Sequence, residues 1–72
     1  MNDRERIDAF AAVLGIPGPD DAEFAQLLEL AGVAAHASQR TAAPVACWLA
    51  ARSEREIDAV LAMAKDIPGE SP

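Results

Sequence analysis

Apolar residues recur along the chain at helical spacing, and no stretch of β-branched and aromatic residues alternates with a period of two. The first stripe is Ile7, Phe10, Ala11 and Leu14. Asn2 stands at an N-cap position with Glu5 three residues on, the reciprocal capping pair, and Gly15 stands where a left-handed residue closes a helix. Together they predict a helix over residues 3–14. Ile16-Pro17-Gly18-Pro19 then breaks the chain, because two prolines and a glycine cannot continue a helix.

Asp20 with Glu23 repeats the capping pair and opens a second helix, predicted over 21–38. Phe24, Leu27, Leu28, Ala31, Ala34 and Ala35 fill one side of it. Leu30, Val33 and Ala37 widen the apolar arc by about a quarter turn. An arc that wide belongs to a central helix between two neighbours, or to one with a face kept for a partner. Gly32, which costs about 1 kcal/mol relative to alanine in a helix, is read as a point of close backbone approach.

A third helix is predicted over 42–52, with Thr41 as N-cap and Pro44 in the first turn, where its missing N–H does no harm. Val45, Trp48 and Leu49 point one way, while Ala42, Ala43, Ala46 and Ala50 leave much of the remaining surface small. Ser53-Glu54-Arg55-Glu56 reads as a capping box for a fourth helix over 54–67, whose stripe is Ile57, Val60, Leu61, Ala64 and Ile67. Pro68-Gly69 ends it, and residues 68–72 read as a disordered tail. The expected architecture is all-α: a compact bundle of four short helices forming one domain over 1–67.

Composition sharpens that picture. Seventeen alanines supply much of the 51% hydrophobic content, so the core should be thin. Seventy-two residues bury only roughly 60% of the surface of the unfolded chain. Cys47 is the only cysteine, which excludes an internal disulfide, and His36 is the only histidine, so no His–Cys cluster offers a zinc site. Partnering is the remaining route to firm stability, either with another protein or with a second copy. A formal charge of −6 disfavours nucleic acid and anionic membrane surfaces. No apolar run approaches the ~20 residues of a bilayer span, and Met1-Asn2-Asp3-Arg4-Glu5-Arg6 lacks the basic-then-apolar order of a leader, so the chain is expected in the cytoplasm.

Few residues bear chemistry. His36 falls on the polar strip of the second helix with Glu29 and Arg40, and reads first as a solvated histidine near a helix end. Cys47, two turns into its helix among small residues, reads as a packed hydrophobe and not a reactive thiol. Arg52 continues the Val45, Trp48, Leu49 stripe and can lie over the Trp48 indole or turn to solvent. With Arg40 and Arg55 it offers a small cationic spot for a phosphate or a carboxylate. Asp20-Asp21 does not open a calcium loop, because Ala22, Phe24 and Ala25 stand where ligands would follow. Acyl carrier proteins share the size, charge and helix count, but their attachment serine in an Asp-Ser-Leu context is missing. No catalytic group, metal or cofactor is expected. Leu30, Val33, Ala37, Ala46 and Ala50 are the candidate partner face, and His36, Arg40, Trp48 and Arg52 the candidate contacts for a ligand or partner.

Leu27-Leu28-Glu29-Leu30-Ala31, Ala35-His36, Arg40, Ala43-Pro44 and Trp48-Leu49-Ala50 together resemble a family of short actinobacterial helical proteins of unassigned function. The resemblance spans roughly residues 4 to 67 and matches at His36, Arg40 and Pro44; the fourth helix carries little of it. Members of that family occur alone or fused to nucleotidyltransferases of molybdopterin-guanine dinucleotide biosynthesis, often near formate dehydrogenase genes. The resemblance implies a non-enzymatic accessory or interaction module near molybdenum-cofactor biosynthesis or formate dehydrogenase maturation. The alternative reading is a protein that binds a small anion or cofactor through His36, Arg40 and Arg52.

Overall fold

In the computed structural model, which describes residues 1–68, the capping signals of the first half act as the sequence predicts. Helix α1 spans Asp3–Leu14. The Glu5 N–H donates to Asn2 Oδ1 at 2.8 Å and the Asn2 N–H donates back to Glu5 Oε1 at 3.1 Å. At the other end Gly15 adopts φ 75°, and the N–H groups of Gly15 and Ile16 reach back to the carbonyls of Ala12 and Ala11. That is the two-bond glycine termination which satisfies the last free carbonyls of a helix. Helix α2, Asp21–Ala37, opens with the same reciprocal pair between Asp20 and Glu23 and ends one residue short of the predicted limit.

Two expected caps are replaced. Helix α3 spans Ala42–Ser53, but Thr41 is itself in the right-handed helical region and its side chain caps nothing. The preceding turn does the work, since Ala42 and Ala43 donate to the carbonyls of Gln39 and Arg40. Ser53 does not open the next helix. It is the last residue of α3, where its Oγ donates to the Ala50 carbonyl at 2.7 Å and accepts from the Arg55 N–H. Glu54 then takes a left-handed conformation, φ 60°, which stops α3 and leaves no room for a box over 53–56. Helix α4 therefore starts later than predicted and spans Ile57–Asp66, with Glu56 as an extended N-cap lacking a side-chain bond. Ile67 is extended, as the residue before Pro68 tends to be. The tail expected over 68–72 lies, beyond Pro68, outside the described residues.

The four helices form a compact all-α bundle, 39 × 25 × 18 Å along its principal axes. Extensive helix packing occurs in two places, α2 against α3 and α2 against α4. Helix α2 is thus the central element that its wide apolar arc allows. Leu30, 2% exposed, is the hub, closed in by Ala50 from α3 and Leu61 from α4. Cys47, Ile57, Val60 and Ala64 pack around this centre. Gly32 is not a contact point: a methyl group built there would meet nothing within 4 Å.

Helix α1 is held differently. Of its predicted stripe only Ala11 is buried, and Ile7, Phe10 and Leu14 face outward. The linker folds back along the helix so that Gly18 sits against Asp8 and Ala11. Arg4 then makes the tie. Its guanidinium donates to the Pro19 carbonyl at 2.6 Å and to Asp21 Oδ1 at 2.8 Å, and lies over the Phe24 ring.

Candidate interaction surface

The bundle leaves much of its apolar side-chain content in water. Of nineteen large apolar side chains, twelve are exposed and two, Leu30 and Leu61, are buried. Single exposed apolar residues are ordinary on a protein surface, but contiguous ones mark contact sites. Here they group by helix. Helix α1 shows Ile7, Phe10, Val13 and Leu14; helix α3 shows Val45, Trp48 and Leu49, each 57% exposed; helix α4 shows Met63, with Ile67 just beyond its end.

Because α3 and α4 both pack on α2, a groove remains between them with Leu30 as its floor. One section, about 260 Å³, has Ala46, Ala50 and Ala64 as walls and Leu49, Met63 and Ile67 as lips. A second, about 250 Å³, continues past Val33, Ala37 and Ala42. Each is smaller than the roughly 300–1,000 Å³ of ordinary small-molecule sites, and the walls are alanine-rich, with Ser38, Ser53 and Arg55 as their polar side chains. Such a trough suits the large side chains of another helix better than a polar metabolite.

The five residues read as a partner face differ in burial. Leu30 and Ala50 belong to the core between α2 and its two neighbours and also form the floor and one wall of the groove. Val33, Ala37 and Ala46 are half-buried and line the groove. Trp48 is open to solvent on α3, with the Arg52 guanidinium 5.0 Å from its ring centroid. Of the two courses open to Arg52, the structure takes the stacked one.

The polar candidates do not converge. His36 lies exposed in the last turn of α2, and Arg40 is exposed in the turn after it. Arg52 lies at the far end of α3 from Arg40, ten residues past the helix's first residue Ala42, about 15 Å at helical rise. Cys47 is half-buried with Sγ 4.0 Å from the Leu27 carbonyl, and burial pushes its thiol above the ordinary value, away from the thiolate. Among the described residues, no group of three His, Cys, Asp or Glu side chains gathers as a metal site would.

Sequence reasoning passed over Arg4, whose partners lie 15 to 20 residues further along the chain. One local signal was present. A cation in the first turn of a helix opposes the helix dipole and so asks for a compensating partner.

The fold and surface define a small all-α domain with an apolar trough and an unpacked first helix. The chain belongs to the family described as "Domain of unknown function (DUF6457)", which matches residues 4–53. The match covers α1, α2 and α3, and includes His36, Arg40, Pro44, Trp48 and Arg52; it stops short of residue 67, where the resemblance read from the sequence ended. No curated protein and no solved structure gives a match. Among the described residues no helix is long and apolar enough to cross a membrane.

Proposed function

We propose that this domain is a non-enzymatic protein-interaction module that works through its exposed apolar helix faces. The observation that carries the reading is that nine of the twelve exposed large apolar side chains fall in groups on α1, on α3 and at α4 with Ile67 just past its end, on a chain whose buried core among the described residues is four residues. Water contact with those groups is costly, at roughly 25 cal/mol per Å² of apolar surface, so covering them supplies a driving force for association. The sequence resemblance adds a direction. On that resemblance the proposed partner belongs to molybdenum-cofactor biosynthesis or formate dehydrogenase maturation, with the nucleotidyltransferase of molybdopterin-guanine dinucleotide biosynthesis as the first candidate to test.

Trp48 is the only tryptophan and stands on the exposed face of α3, so it reports directly. Titrating the domain with that nucleotidyltransferase, and separately with formate dehydrogenase subunits, should shift Trp48 emission to shorter wavelength as the indole leaves water. Trp48→Ala should weaken the complex by at least about tenfold, the effect of an aromatic anchor at an interface. An unchanged spectrum together with no complex on a sizing column for any of these proteins would count against the cofactor-maturation setting.

A further inference from the structure

The groove between α3 and α4 and the outward face of α1 have matching dimensions and chemistry. Helix α1 has twelve residues, about 18 Å at helical rise, and the stretch of α3 beside the groove, Ala42 to Ser53, has twelve as well. The exposed anchors of α1 are Ile7, Phe10 and Leu14, at the i, i+3, i+7 spacing with which a helix fills an apolar groove. The groove walls are Ala42, Ala46, Ala50 and Ala64, small residues that leave room for large ones opposite.

The chain's own α1 is held away from this groove. Arg4 fixes it to Pro19, Asp21 and Phe24 at the first turn of α2, whereas the groove runs beside the second half of that helix, from Leu30 to Ser38. Leu30 and Ser38 are nine and seventeen residues past Asp21, about 14 and 26 Å along the axis. The surface area points to a second copy. The chain exposes 5674 Å², against the roughly 4,300 Å² expected of a folded 7.6 kDa monomer. That excess is larger than the about 800 Å² which each partner buries in a standard interface.

We infer that two copies of this chain form a reciprocal dimer in which α1 of each lies in the α3–α4 groove of the other. The inference rests on the interaction-module reading above and names the partner for one of its faces. Such an exchange is two-fold symmetric and closes on itself, so it ends at the dimer. Arg55, which among the described residues enters no ion pair, lines the groove at the α3–α4 turn between Glu54 and Glu56. An α1 antiparallel to α3 brings its first turn, where Asp3 and Glu5 alternate with Arg4 and Arg6, to that mixed-charge turn and places Leu14 near Ala42.

Sedimentation equilibrium of the full chain over a dilution series tests this. The expected result is reversible association to twice 7.6 kDa. Phe10 and Met63 are 56% and 50% exposed in the isolated chain, so at concentrations too dilute for the dimer Phe10→Asp and Met63→Asp should leave helix content and the unfolding midpoint unchanged. Each should weaken the dimer at least about tenfold. Mixing the two variants should restore tighter association than either shows alone, because one intact helix then meets one intact groove. A dimer indifferent to both substitutions, or a mixture no tighter than its components, would overturn the exchange. So would a monomer at every concentration; if Met63→Asp then speeds hydrogen exchange in α1, the occupant is the chain's own helix. A monomer leaves the interaction-module reading standing, since that reading is decided by the Trp48 titrations with other proteins.

Discussion

The guanidinium of Arg4 lies 4.9 Å from the centroid of the Phe24 ring, and through it the first helix is tied to the start of the second. The same group donates to the Pro19 carbonyl and to Asp21. The planar fork of arginine suits this arrangement, offering a face to the ring and its N–H edges to the oxygens. A lysine could supply only a point charge.

Arg4→Ala should release α1 with little harm to the core. Cation–π contact and charged hydrogen bonds on a partly exposed group together justify a loss of about 1 kcal/mol. The informative measurement is hydrogen exchange: α1 amides should lose protection while those of α2 around Leu30 keep theirs. Arg4→Lys should fall between the two. Equal loss of protection in α1 and α2 would show instead that the helices unfold as one unit.

Leu30→Ala removes the hub of the bundle and should cost 2–5 kcal/mol, about the range for a buried leucine whose surroundings cannot collapse. In a domain this small that loss is a large part of the total stability. Leu28, two residues away and 58% exposed, is the internal control. Its alanine variant should lose less than about 1 kcal/mol. Urea unfolding followed by circular dichroism compares the two directly.

Burial raises the Cys47 thiol above its ordinary value of 9.0. The folded state therefore favours the protonated thiol. The stability this contributes is fully present below the unfolded thiol's value and is lost as pH rises through the higher folded one. Stability should decline at alkaline pH, beyond about 9, and Cys47→Ala should flatten that decline. At neutral pH the thiol should react slowly with a disulfide reagent compared with the unfolded chain.

Glu54 is the one non-glycine residue with positive φ among those described. The left-handed conformation costs a side-chain-bearing residue roughly 1–2 kcal/mol, while glycine adds about 0.5–1 kcal/mol of unfolded-state entropy. Glu54→Gly should therefore raise stability by about 0.5 kcal/mol, seen as a higher urea midpoint. A lower midpoint would show that the carboxylate makes a contribution outweighing the strain.

The bundle's first half was open to sequence reading because its signals are local: Asn2 with Glu5, Asp20 with Glu23, and Gly15 each act within five residues. The α3–α4 junction was harder. Ser53-Glu54-Arg55-Glu56 has the spacing of a box, yet the helix before it runs through Ser53 and uses the hydroxyl on its own carbonyl. Two helices competed for one serine, and nothing local decides between them. The surface was legible only in outline. The breadth of α2's apolar arc marked it as central, but which residues of that arc are covered depends on where α4 lands, and that sent Leu30 to the core and left Val33 and Ala37 at the groove. Arg4 was missed because its partners are remote in the chain.

Leu61 gives the family relationship an unforeseen edge. The matched segment stops at Ser53, yet one of the three residues at the centre of the bundle comes from the helix after it. Similarity and cooperativity thus have different borders. A peptide cut to the matched segment would leave Leu30 with half its roof, and should be far less resistant to proteases than the whole chain. Any family member lacking a fourth helix has to seal that leucine with something else, whether an appended domain or the flank of a neighbour.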